Sequence, residues 1–369
     1  MNLSGYLDLV ALVVGAWLLL REVGKKRQNK DTQASDPDLN PLGTLDEREA
    51  GQFPVVLMDG DAGPGAALGE QSRFQHTEVV GASGTGKNWF ALLPMIEQDI
   101  RRGAGVVILD PKSAMRDRVE GFAKAAGRLA DLRCLDLAEP SRSTTYSPFL
   151  DEHPSHVTER VFSAFYGDDQ TPTPHYRNLA KSLLYGFFGL CQRLEVLPTL
   201  DQLRAVALDQ MLLAALVAKA PTAREARELR TQFLSLDRKE YAAILQGLAN
   251  ALTDMTTARY APLLNTTAPG VDLRDVLAQG RILYVGLAAD LYQTSFRRVS
   301  TLLLMDLQSG LTARYGRAVR PMFLYLDEFA DLIHPQIGAL IAKAREARMG
   351  ITLAHQSLGD LKRFGDALA

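Results

Sequence analysis

An α/β fold with a mostly parallel sheet is predicted by three observations. Gly105-Val-Val-Ile-Leu-Asp110 and Met322-Phe-Leu-Tyr-Leu-Asp327 are unbroken apolar runs that end in an acid. Such runs suit strands buried on both faces of a parallel sheet. A glycine-rich turn, residues 81–88, joins a β-prone segment to a helical one. Finally, residues 155–262 show helical periodicity only, between two stretches of strand–helix alternation.

The composition fits this class. A chain of 369 residues can hold a large α/β domain and a smaller one. Apolar content of 47% and charged content of 23% are those of a globular protein and exclude a disordered chain. A net charge of −2 gives no overall nucleic-acid signature, so DNA contact would need a local patch or an assembled ring. Cys134 and Cys191 have neither metal-site nor redox spacing and read as buried free thiols in a reducing compartment.

In chain order, Leu3–Leu20 is mostly apolar and long enough to span a bilayer. Arg21, Lys25, Lys26, Arg27 and Lys30 follow it, and no basic residue precedes it. This pattern predicts a single-pass anchor over residues 1–23 with the following chain in the cytoplasm, and not a cleaved signal peptide. A helix lying on a surface or in a core is the plainer alternative. Residues 24–52 are a polar linker. The first α/β part, 53–154, has a strand over Phe53–Met58, a glycine-rich turn region over Asp59–Gly69 and a strand over Thr77–Val80. A helix over Trp89–Ile100 follows, kinked at Pro94. Next come the strand ending at Asp110, a helix over Asp117–Leu129 and a strand over Arg133–Leu137. Residues 155–262 form an all-α insertion. In it Leu183, Leu184, Phe187, Phe188 and Cys191 make a core stripe. The second part, 263–369, predicts a helix over Val271–Ala278, a strand over Arg281–Leu287, a helix over Tyr292–Tyr315 and the strand ending at Asp327. A helix over Pro335–Arg348 then leads to a strand over Ile351–His355.

The turn Gly81-Ala82-Ser83-Gly84-Thr85-Gly86-Lys87-Asn88 is G-x-x-x-x-G-K, the phosphate-cradling loop of P-loop NTPases. Gly81, Gly84 and Gly86 permit positive φ and close approach of a ligand. Backbone N–H groups and the helix dipole suit the β- and γ-phosphates of a triphosphate, and Lys87 reaches them as a point charge. Asn88 stands where Ser or Thr normally offers a hydroxyl to Mg2+. It can offer a carbonyl oxygen or hold the ion through water. Asp327 is the expected magnesium acid and Glu328 the group that polarises the attacking water. Asp110, expected on a strand next to the loop's own, is the competing acid. Gln356 ends the next strand, either sensing the γ-phosphate or only bonding the backbone. Arg345 and Arg348 are candidates for a cation supplied in trans, or else solvated helix charges.

These motifs occur in the order found in the type IV coupling proteins, the membrane-anchored RecA-like ATPases of bacterial conjugation and type IV secretion, and the chain resembles that family. His76–Lys87 resembles the family's approach to the P-loop, Leu109-Asp110-Pro111-Lys112 its Asp-Pro-Lys stretch and Tyr146-Ser-Pro-Phe149 the turn after it. The helical insertion, Leu326-Asp327-Glu328-Phe329-Ala330, and the run from Ala344-Arg345 to Gln356-Ser357 resemble its later features. The resemblance implies a RecA-like P-loop NTPase with a mostly parallel sheet, an inserted all-α domain and an N-terminal transmembrane helix. It implies a homo-hexamer at the bacterial inner membrane, with ATP and Mg2+ as cofactors. Such a motor couples a relaxase or accessory nucleoprotein to the secretion channel and drives single-stranded DNA, without sequence preference, through its ring. Arg345 keeps the family's spacing to Gln356 and is the better trans-acting finger. Arg297, Arg298, Arg314, Arg317 and Arg320 are candidates for the DNA path.

Three departures stand out: Asn88, one anchoring helix where many relatives have two, and a chain that stops at Ala369, soon after Gln356. A further strand and helix would be expected to finish the sheet. Asn88 and the early stop favour a second reading, a nucleotide-binding docking protein with little or no turnover. A chromosome translocase of the same superfamily is a third, opposed by the anchor and the placement of the insertion.

Overall fold

The computed structural model describes residues 55–57, 66–82, 84–151, 153–167, 174–332 and 337–357. The expected anchor and linker, Ser83 of the glycine-rich turn and the chain after Ser357 lie outside the described residues. Among those described, no helix is long and apolar enough to cross a membrane.

A small antiparallel hairpin of β1 (Val55–Leu57) and β2 (Ala66–Leu68) precedes the main sheet. β2 falls where only a turn region was expected, because Ala66-Ala67-Leu68 carries no strand signal of its own and gains its state from pairing with β1. The main sheet contains β3 (Thr77–Val80), β4 (Gly105–Asp110), β5 (Leu132–Asp136), β6 (Ile282–Gly286), β7 (Met322–Leu326) and β8 (Met349–His355). They lie in the order β3-β8-β7-β4-β6-β5, and every described pair is parallel.

Alternate residues of the central strands feed two separate cores, as the period of two requires. Val106, Ile108, Phe323 and Tyr325 pack with Met95, Ile96, Ile100 and Val119 on one face. The helices Leu93–Arg101 and Arg116–Ala125 cover that face. Val107, Leu109, Leu324 and Leu326 pack on the other face with the helices Leu273–Gln279, Ser295–Leu311 and Ile337–Ala344.

The second core continues without a break into the helical segment. That segment runs through Pro154–Tyr166, Pro174–Arg193, Leu200–Leu208, Gln210–Ala218, Arg224–Leu229 and Arg238–Thr257. Capping boxes start two of these helices, Thr199 with Gln202 and Asp237 with Glu240. The expected stripe is buried throughout: Leu183, Leu184, Phe187, Phe188 and Cys191. Cys134 is only half-buried, and both cysteines are free. Burial pushes their thiols up, to about 11 for Cys134 and about 12 for Cys191.

Several helices are shorter than their patterns. The one after β4 stops at Ala125, ahead of Gly127 at φ +68°. The helix Ile337–Ala344 gives way to a turn over Arg345–Arg348, with Arg348 at φ +53°. There the carbonyl of Ala347 accepts from Arg314 Nε.

Candidate functional site

Because all six strands run the same way, Val80, Asp110, Leu326 and His355 end at one edge of the sheet. The segments following β3, β7 and β8 therefore meet, since these strands are neighbours. Ligands of open α/β sheets bind outside such carboxyl ends.

The glycine-rich turn leaves β3 at Gly81, whose N–H donates to the carbonyl of His355 in β8. The Thr85 hydroxyl and N–H both donate to the carbonyl of Ala82, closing the loop. Gly84 and Gly86 have φ of +76° and +81°, where a side chain is strained. A Cβ on Gly81 would lie 2.8 Å from Thr85 Oγ1. The helix after Lys87 begins with wide π turns over Asn88–Leu92 and tightens to an α-helix at Leu93. Pro94 lies one residue into the α-helical part and cannot donate back into the π turn before it, and the pitch changes at that point.

Asn88 Nδ2 donates to Asp327 Oδ2 at 2.6 Å, and the N–H of Glu328 donates to Asp327 Oδ1 at 3.0 Å. Burial pushes the Asp327 carboxyl up to about 6. The bond from Asn88 opposes the rise, and Asp110 and Glu328 add to it. Glu328 follows directly, at φ +45°, an unusual conformation for a non-glycine residue. Its Oε1 accepts from Lys112 Nζ at 2.9 Å and lies 3.9 Å from Lys87 Nζ. Its Oε2 accepts from Gln356 Nε2 at 3.2 Å. Burial pushes Glu328 up, but the bonds from Lys112 and Gln356 and the charge of Lys87 outweigh it, leaving it below the usual carboxylate range. Two adjacent acids are thus driven in opposite directions.

The structure therefore brings together Lys87, Asn88, Asp327, Glu328 and Gln356. Gln356 does more than satisfy backbone, since its amide holds Glu328. Asp110 is not beside the loop strand: β8 and β7 separate β4 from β3. Its carboxylate is already filled, accepting from the N–H groups of Lys112, Ala114 and Met115 and from the Tyr284 hydroxyl. It anchors the turn that carries Lys112. Lys112 itself was visible in the sequence only as part of Asp-Pro-Lys at a strand end. Nothing there indicated that it meets Glu328, 216 residues on.

Arg345 is exposed, in the turn before β8, at the opposite edge of the sheet from the glycine-rich loop of its own chain. Seven strand residues separate those edges, roughly 20 Å. Arg348 pairs with Glu70 at 3.0 Å. Of the basic residues proposed for a DNA path, Arg297, Arg317 and Arg320 are exposed and Arg298 pairs with Asp254. Arg314 is a correction: it is buried and donates to the carbonyls of Ala347, Leu277 and Arg320, so it staples loops.

A divalent ion fits the donors present. A carboxylate only accepts, so the Asn88 amide turns its nitrogen to Asp327 and leaves its oxygen for a cation. Among the described residues no cluster of three or more His, Cys, Asp or Glu could hold a metal. The rest of the shell would have to come from phosphate and water, the usual arrangement for magnesium.

Comparison with known proteins bears on this arrangement. The family model described as Type IV secretory system Conjugative DNA transfer matches residues 33–366. No curated protein sequence matches the chain. Among solved structures, the unbound bacterial conjugative coupling protein TrwBdeltaN70 is similar over 80% of this chain and 65% of its own length, at 17% identity and a TM-score of 0.60. The plasmid coupling protein TrwB in complex with the non-hydrolysable ATP analogue ADPNP is similar over 90% and 75%, at 17% identity and a TM-score of 0.63. TrwB in complex with ADP and Mg2+ is similar over 89% and 76%, at 15% identity and a TM-score of 0.60. At such identities the likeness shows a shared fold.

Proposed function

Because the chain belongs to the conjugative DNA transfer family of type IV secretory systems, we propose that it is an ATPase that couples DNA or a nucleoprotein to a secretion channel and drives the DNA by hydrolysis. The observation that carries this reading is the meeting of Lys87 with Glu328, beside the Asn88–Asp327 pair. Lys87 and the loop N–H groups bind the phosphates. Asn88 orients Asp327, and these two side chains would hold a magnesium ion with its water. Bound there, the ion would supply neutralisation of phosphate charge. Glu328 stays ionised at neutral pH because the bonds from Lys112 and Gln356 and the charge of Lys87 hold it low. It orients and polarises the attacking water, and Gln356 fixes its second oxygen.

The wider assignment belongs to the same proposal. Residues 1–23 anchor the protein in the bacterial inner membrane, with the ATPase in the cytoplasm. Six copies form the ring, and Arg345 of each acts on a neighbour's nucleotide. Its exposed place on the far side of the sheet from its own loop supports a role in trans. Relaxase, channel components and single-stranded DNA are the partners.

A second reading, a docking protein that binds ATP without turning it over, is favoured by one feature: both Glu328 oxygens are engaged by protein groups. Steady-state hydrolysis by the full chain, with and without single-stranded DNA, separates the two. The motor predicts DNA-stimulated turnover that falls by about a hundredfold or more in Lys87→Ala and Glu328→Gln. ATP binding with no turnover in the unaltered chain would sink the motor and leave the docking protein.

A further inference from the structure

Lys112 is a charged group of this site to which the mechanism above gives no contact with the nucleotide. Its ammonium and that of Lys87 converge on one atom, Glu328 Oε1, at 2.9 Å and 3.9 Å. The two cations are therefore no further apart than those two distances laid end to end. A terminal phosphate held by Lys87 falls within reach of Lys112.

The two lysines are mounted differently. The side chain of Lys87 is buried at the head of a helix, whereas that of Lys112 is half exposed and reaches Glu328 from a turn. The backbone beneath Lys112 is fixed, because its own N–H and those of Ala114 and Met115 are held by Asp110. Glu328 keeps Lys112 charged against its partial burial, and Asp327 and Asp290 reinforce this. A carboxylate standing where a γ-phosphate arrives would repel it, and Lys112 neutralises that carboxylate.

We propose that Lys112 is a second phosphate-reading lysine that makes the site prefer a nucleoside triphosphate to a diphosphate. It contacts the γ-phosphate by turning from Glu328, and so frees Oε1 for water when a triphosphate is bound. This rests on the nucleotide-binding reading above. It goes beyond it by giving triphosphate specificity to a residue outside the glycine-rich loop and the Asp327-Glu328 pair.

The test is calorimetric titration of the full chain with ADPNP and with ADP, each with Mg2+, so that no turnover is needed. Lys112→Gln is expected to weaken ADPNP by roughly tenfold or more while ADP changes less than about twofold. Lys112→Arg should restore most of the ADPNP affinity, and the exposed control Lys343→Gln should change neither ligand. In a Glu328→Gln background the selective loss should persist, since the contact is with phosphate. Equal weakening of both ligands, or no change in either, would overturn the proposal. So would a selective loss that vanishes with Glu328→Gln, because Lys112 would then act only by screening that acid. If the unaltered chain binds neither ligand, the nucleotide site itself is wrong. If it binds both and Lys87→Ala abolishes both, the site stands whatever Lys112 does.

Discussion

Asp327 and Glu328 are chain neighbours with opposite acid strengths, and the difference is entirely one of surroundings. Asp327 is almost wholly buried, with two neutral donors on its oxygens. Glu328 has two ammonium groups on one oxygen and an amide on the other. The folded-state value of about 6 for Asp327 lies above its ordinary 3.8, so ionisation costs more in the folded chain. That cost is complete above pH about 6 and absent below pH 3.8. Asp327→Asn should therefore stabilise the protein at pH 7.5. The gain is at most about 3 kcal/mol from the carboxylate, reduced by about 1 kcal/mol because the amide has one acceptor oxygen for the two donors, Asn88 Nδ2 and the Glu328 N–H. Thermal unfolding checks this: the midpoint should rise by a few degrees at pH 7.5 and not at pH 4. Magnesium-dependent nucleotide binding should be lost in the same variant, a stability gained at the site's expense.

At the level of elements, the glycine-rich loop and its helix act as one part. Gly86 stands at φ +81°, and a Cβ there would come within 2.5 Å of the Phe90 ring. Phe90 is 60% exposed and can move aside, so the lasting cost is the backbone conformation. Gly86→Ala should destabilise the fold by about 1–2 kcal/mol and weaken ADPNP binding well beyond that loss. An urea titration and a binding isotherm on one preparation would check this. An unchanged affinity would mean the loop does not approach phosphate closely. The turn Arg345–Arg348 shows the same coupling between neighbours. Its pattern is helical, but Arg348 takes φ +53°, β8 starts directly after, and Arg314 Nε satisfies the Ala347 carbonyl from outside.

Across the whole molecule, the helical segment and the sheet share one core, and a buried polar clip joins them. Arg160, fully buried in the helix Pro154–Tyr166, pairs with Asp306 of the helix Ser295–Leu311 at 2.5 Å and with Asp151 at 2.9 Å. The Tyr146 hydroxyl donates to the same Asp306 at 2.8 Å. Removing one partner of a buried pair leaves an uncompensated charge, so Arg160→Ala should cost about 3–5 kcal/mol at neutral pH. Burial already pushes Asp306 up to about 6. Protonation would relieve the orphaned acid, so the loss should shrink as the pH falls toward 5. Unfolding midpoints in urea at pH 7.5 and pH 5 would show it. An equal loss at both values would mean that packing, not charge, carries the contact.

The sequence by itself determined the parallel α/β class, the all-helical stretch within it, and the identity of the loop and of the Asp327-Glu328 pair. These depend on local signals: apolar runs of strand length, glycines at positive φ and a lysine at a helix start. The tertiary structure decided what depends on strand order. It placed β8 and β7 between β3 and β4, which moved Asp110 away from the loop and made it the anchor of the Lys112 turn. It brought Lys112 and Gln356 onto Glu328 from two other strand ends. It buried Arg314, whose surroundings come from three separate segments. Periodicity reports which face of an element is apolar, but not which elements become neighbours. That choice is made by long-range packing, and the charge on Glu328 is set by residues that only the folded sheet brings within 4 Å.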